Sequence, residues 1–139
     1  MPYFNNRKPE LLERGISALS YPSCGLIGLL YLLFARKDAR TAPFFYFHFL
    51  QSIILGVLMF LLNWTGSILK HVLIGIIGLI FALLPGTTMV AALIGSAIDW
   101  LLLLINSLIY ILMIYGLVFA LLGKYAEIPG LSALVRKNM

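Results

Sequence analysis

Charged residues divide this chain into long apolar runs. No Asp, Glu, Lys or Arg falls within 15–35, 41–69, 71–98 or 100–123, which are runs of 21, 29, 28 and 24 residues. About 20 apolar residues in a helix cover a hydrocarbon core of about 30 Å. A helix also satisfies its backbone polar groups within its own segment, as lipid requires. The strict apolar/polar alternation of a transmembrane barrel strand is absent. The pattern therefore predicts an all-α membrane protein: one transmembrane domain over residues 1–139, with four helices at about 15–34, 44–63, 66–84 and 99–122. Pro22 marks a kink or a late start in the first helix, Pro43 suits the N-terminus of the second, and Gly123 suits the C-terminal cap of the fourth. The third has two readings, because Pro85-Gly86-Thr87-Thr88 reads as a turn or break. Either a tilted helix crosses with Lys70 snorkelling to the surface, or two half-helices form a re-entrant hairpin at Pro85.

Polar residues inside such runs need a reason, since an uncompensated polar group in lipid is costly. His48, Ser52, Gly56, Met59 and Asn63 fall on one stripe of the second helix, with Gln51 beside His48. Small and polar residues on one helix face are the ordinary mark of a helix–helix contact; the alternative is the lining of a polar passage. His48 has no acid one turn away, so a hydrogen-bonded packing role is expected ahead of metal, haem or chlorin ligation. On the fourth helix Asp99, Asn106 and Tyr110 share a stripe, with Asp99 expected at the interface beside Trp100. A re-entrant third segment would instead let Asp99 face a cavity.

Composition sharpens this picture. The chain is 62% hydrophobic and 11% charged, against about half and a quarter in soluble domains. The formal charge of +5 would suggest nucleic acid in a soluble protein. Here the basic residues flank apolar runs, where they set orientation, and nucleic-acid binding is not expected. Four spans put Arg7, Lys8, Arg14, Lys70, Lys124, Arg136 and Lys137 on one side and Arg36, Lys37 and Arg40 on the other. That asymmetry places both termini in the cytoplasm or stroma. The first apolar run ends at Ala35-Arg36-Lys37 rather than at a small-residue site, so a cleaved signal is not expected. Cys24, the single cysteine, is expected to be a small buried thiol. No paired carboxylates, Ser-His-Asp set, phosphate loop or metal-ligand cluster is visible. No catalytic residue, metal or cofactor is expected, and the chain does not read as an enzyme.

Three stretches carry a family resemblance: Arg14-Gly15-Ile16-Ser17-Ala18-Leu19-Ser20-Tyr21; Phe47-His48-Phe49-Leu50-Gln51-Ser52-Ile53-Ile54-Leu55; and Tyr115-Gly116 through Leu122-Gly123-Lys124 to Ile128-Pro129. Together they resemble the twenty-kilodalton subunit of Tic, the protein translocon at the inner envelope membrane of chloroplasts, and its cyanobacterial relatives. That family's aromatic-His/Asn-x-x-Gln motif maps onto Phe47, His48 and Gln51, and its closing pattern onto Leu122, Gly123, Lys124 and Pro129. Tyr46 stands where the family usually has a basic residue, and Ser52 where it usually has Ala. The resemblance implies four membrane helices with both termini in the stroma. It also implies a place in a protein-translocation or membrane-protein assembly complex, with partner subunits in a cyanobacterial plasma or thylakoid membrane or a plastid inner membrane. Two alternatives come from the residues themselves: a small structural subunit of a photosynthetic or respiratory complex, or a small-solute or proton transporter using Asp99 or His48.

Overall fold

The computed structural model describes residues 8–34, 43–81 and 87–137, and among them every regular element is a helix. These are α1 (Leu11–Ser20), α2 (Leu26–Phe34), α3 (Pro43–Phe81), α4 (Thr87–Leu121) and α5 (Leu131–Lys137). Two of them, over Pro43–Leu79 and Met89–Leu121, are long and apolar enough to cross a membrane. The expected turn or re-entrant break at Pro85, and the basic loop of Arg36, Lys37 and Arg40, lie outside the described residues.

The boundaries differ from the sequence expectation in three places. First, 15–34 is not one helix. α1 and α2 have 10 and 9 residues and are separated at Tyr21–Gly25, the position that Pro22 marked. The Gly25 N–H reaches the Ser20 carbonyl at 2.7 Å and the Cys24 N–H reaches that of Tyr21 at 3.1 Å. This is a Schellman closure, and it puts Cys24 at φ 51° and Gly25 at φ 86°. Cys24 is therefore exposed at the reversal rather than buried. Left-handed backbone costs a non-glycine residue roughly 1–2 kcal/mol, so the turn is held by its surroundings: Cys24 sits directly over Gly56, where an added Cβ would lie 2.6 Å from the Cys24 Cβ.

Second, the separate helices expected at 44–63 and 66–84 form one helix of 39 residues, about 58 Å long. Polar side chains near the expected boundary bond to the helix's own backbone. Asn63 donates to the Met59 carbonyl at 2.8 Å, Thr65 to that of Leu61 at 2.6 Å, and His71 Nδ1 to that of Ser67 at 2.7 Å. Side-chain bonds of this kind let polar residues sit in an apolar helix without water. Third, α4 begins at Thr87, well before the expected start at 99, so Asp99 lies in the helix interior and not at its end.

The chain divides into two compact units, one up to Val57 together with the chain from Tyr110 onward, the other Leu58–Ile109. The core of the first gathers Ala18, Tyr21, Phe44, Phe45, Phe47, Phe49, Leu55, Ala120, Ala126 and Val135, all at 6% exposure or less. Its tightest backbone approach is at Gly116, where an added Cβ would fall inside van der Waals contact of two ring atoms of the fully buried Tyr21. A methyl group there overlaps ring atoms that have no free rotamer. Gly116→Ala is expected to lower stability by about 1–3 kcal/mol, read as an earlier thermal midpoint in mild detergent. Gly75→Ala, where a Cβ meets nothing within 4 Å, is expected to be neutral or stabilising.

In the second unit, the portions of α3 and α4 run antiparallel. Asn63 meets Asn106, Gly66 meets Leu102, Lys70 meets Asp99, and Ile74 meets Gly95. Gly66 lets the Leu102 side chain seat against the α3 backbone.

Candidate functional site

In the first unit, His48 and Gln51 lie one turn apart on α3, fully buried and facing the non-helical segment that follows α4. That segment starts where Gly123, at φ 70°, closes α4. The Lys124 N–H bonds the Phe119 carbonyl and the Gly123 N–H that of Ala120, both at 3.0 Å. This second Schellman closure fits the cap expected at Gly123. The chain then continues without regular structure to α5. His48 Nε2 lies 3.0 Å from the Lys124 oxygen, and Gln51 Nε2 donates to the Ala126 oxygen at 2.9 Å. Two helix side chains thus satisfy backbone carbonyls that lack a helix to pair with.

Tyr21 completes the cluster from the turn between α1 and α2. Its hydroxyl lies 2.8 Å from His48 Nδ1 and 2.9 Å from Gln51 Oε1. Gln51 Nε2 also donates to Ser132 Oγ at 3.1 Å, which itself accepts the Ile128 N–H at 2.7 Å. Aromatic rings enclose His48: Phe44 at 4.7 Å, Phe47 at 5.5 Å and a stacked Tyr125 at 6.4 Å between centroids. Arg136 pairs with Glu127 and lies 6.0 Å above the Phe47 ring. Beyond the end of α4, burial raises the Tyr125 phenol above its ordinary pKa, against a smaller opposing effect of Arg136.

Counting hydrogens assigns the tautomer. The Lys124 oxygen only accepts, so a neutral His48 carries its proton on Nε2 and leaves Nδ1 as an acceptor. Gln51 turns its NH2 toward the Ala126 oxygen for the same reason, leaving Oε1 as an acceptor. The Tyr21 hydroxyl then has one hydrogen for two acceptors, and it is the hub of the cluster.

The remaining sequence candidates lie elsewhere. Ser52 is buried and returns its hydroxyl to the Phe49 carbonyl at 2.7 Å. Pro129 is exposed in the segment before α5. Tyr110 is 51% exposed, inside α4. The polar stripe read on the second helix is divided. His48 and Ser52 belong to the first unit, whereas Asn63 belongs to the second.

In the second unit Asn63 and Asn106 exchange reciprocal amide bonds, at 2.9 and 3.0 Å. About two turns along, Lys70 Nζ donates to both oxygens of Asp99, at 2.7 and 2.6 Å. Lys70 of α3 is therefore the interhelical partner of Asp99 of α4. A double-mutant cycle on Asn63→Ala and Asn106→Ala is expected to give a coupling of about 0.6–1.7 kcal/mol, the range for side-chain pairs between membrane helices. Additive single effects would show that the amides do not act as a pair.

Sequence reasoning missed Tyr21 as a hub, Ser132, and the pairing of Lys70 with Asp99. One signal for the last was available: 70 and 99, like 63 and 106, are symmetric in sequence about the 84–85 position. Among the described residues no group of three or more His, Cys, Asp and Glu side chains is placed to hold a metal ion. Comparison with family models, with characterised proteins and with solved structures finds no match to this chain.

Proposed function

We propose that the chain is a membrane-embedded component of a protein-translocation or membrane-protein assembly complex, related to the twenty-kilodalton Tic subunit. Membrane crossings by α3 and α4 belong to the same reading. So does a location in a cyanobacterial plasma or thylakoid membrane, or a plastid inner membrane, with both termini in the cytoplasm or stroma. One observation supports it above the others. The three stretches that carry the resemblance, far apart in sequence, are bonded to one another: Tyr21 from the first, His48 and Gln51 from the second, and the Lys124 and Ala126 carbonyls from the third. Arg14 of the first stretch also lies against Gly123 of the third, its Nε 2.7 Å from where a Cβ would be. A set of residues with one shared structural task is what a family motif marks.

The physical character of the chain points the same way. His48, Gln51, Ser52, Asn63, Lys70, Asp99 and Asn106 all bond within the chain, and its exposed surface is rich in large apolar residues such as Leu101, Leu104, Leu108, Ile111 and Ile114. Such a surface suits lipid and neighbouring membrane subunits. The deciding experiment is mass spectrometry of what co-purifies with a tagged copy from native membranes in gentle detergent. Translocation subunits are the expected result. A photosynthetic or respiratory complex recovered in their place would move the chain to a structural-subunit role and end this reading.

A further inference from the structure

The two polar bridges of the second unit differ in what they leave unmet. The Asn63–Asn106 amides exchange one bond in each direction and leave only uncharged groups over, such as the second Asn106 N–H. The Lys70–Asp99 pair leaves charged groups over: its side chains remain 28% and 57% exposed. With two of its three N–H groups on the carboxylate, Lys70 keeps a donor, and Asp99 keeps lone pairs on both oxygens. The Asp99 carboxylate opens onto a cleft lined by Ser96, Trp100 and Leu103. Inside a membrane this residual valence is costly, and it has both signs at one depth. A partner that covers it must present an anion opposite Lys70 and a cation opposite Asp99.

We propose that the occupant is a second copy of this chain, docked through the Ser96–Asp99–Leu103 face. This rests on the membrane reading above. The ion pair bridges two antiparallel helices, so its dipole lies roughly across the helix axes and, for membrane-spanning helices, in the membrane plane. Two copies inserted with the same topology are related by a two-fold axis along the membrane normal. Such an axis reverses every in-plane vector while conserving depth. With the axis beside the ion pair, Lys70 of one copy meets Asp99 of the other, and the two pairs close into a ring of alternating charges that satisfies all four groups. Zwitterionic lipid headgroups offer the same two signs, but they lie at the surface and would leave no contact between protein copies.

The test is cysteine cross-linking in intact membranes, in a Cys24→Ser background. Oxidation is expected to give a dimer for Ser96→Cys and Leu103→Cys, and several-fold less for Leu104→Cys, which lies on another face of the same helix. Charge exchange supplies an independent measurement. Lys70→Asp alone and Asp99→Lys alone, each carrying Ser96→Cys, are expected to lose the dimer, because every facing charge is then alike. Co-expressed under different tags, the two variants are expected to recover a mixed dimer, since each introduced charge now faces its opposite. Resistance to alkaline carbonate extraction is scored on the same membranes. A carbonate-resistant chain that gives no Ser96→Cys dimer, or an equal one from Leu104→Cys, overturns the pairing alone. A chain that carbonate extracts overturns the membrane reading and the pairing with it.

Discussion

Tyr21→Phe is expected to lower the stability of the folded chain by about 1–3 kcal/mol, although it removes a single oxygen and leaves the ring in place. The Tyr21 hydroxyl supplies the one hydrogen that His48 Nδ1 and Gln51 Oε1 share. Without it, the two fully buried acceptors lose the one hydrogen they share, which costs about 1–3 kcal/mol. Gln51→Leu makes the revealing contrast. It deletes three hydrogen bonds, yet the Ala126 oxygen keeps Ser132 Oγ at 3.1 Å and the Ile128 N–H at 3.1 Å. The Tyr21 hydrogen also passes to His48 alone. The expected loss is therefore smaller, about 1–2 kcal/mol, since lost pairs cost less than orphaned groups. Thermal unfolding of both variants in one mild detergent gives the comparison. If Gln51→Leu is the more damaging of the two, the assignment of Tyr21 as the hub is wrong.

The second large effect is a sign reversal between single and double variants at the ion pair. Asp99→Ala leaves the Lys70 ammonium without a counter-charge in an apolar helix. A lone Lys at the centre of a membrane helix costs about 2.5–3.5 kcal/mol on insertion scales. Lys70→Met strands Asp99 in the same way. Replacing both, with Lys70→Met and Asp99→Leu together, removes the desolvation of two charges along with their attraction, which is often neutral or stabilising. The double variant is therefore expected to insert and unfold within about 1 kcal/mol of the parent chain, and each single variant well below it. Glycosylation-tag insertion assays and detergent melts both read this ordering. A double variant as damaged as either single one would show that the charges act through something other than each other. The same double variant is expected to lose the cross-linked dimer, which separates the pair's role within one copy from its role between copies.

Much of the helical content was legible along the chain. Charge-free runs marked the apolar helices, Pro43 opened α3, and Gly123 closed α4, because each of these rests on chemistry within a few residues. Pro22 likewise marked where α1 ends. Boundaries within the apolar runs were less legible. Asn63, Thr65 and His71 look like interface residues when only their polarity is read, yet each bonds a carbonyl of its own helix one turn back. Polarity signals exposure to water only when no partner is within reach.

The site divides in the same way. His48 and Gln51 stood out as polar residues on an apolar helix, which is a local property. Their partners did not, since the Lys124 and Ala126 carbonyls carry no side-chain signature and lie about 75 residues away. Cys24 was read as buried from its apolar neighbours, but the left-handed turn that exposes it depends on Gly56 of another helix. By itself, then, the sequence determined an all-helical, strongly apolar chain, where its helices cap, and which few polar groups need an explanation. These follow from hydropathy and backbone chemistry within a turn or two. The tertiary structure alone decided which polar group meets which: Tyr21 with His48 and Gln51, Asn63 with Asn106, Lys70 with Asp99. In an apolar environment a polar group must find a partner, but only the packing of distant segments selects one.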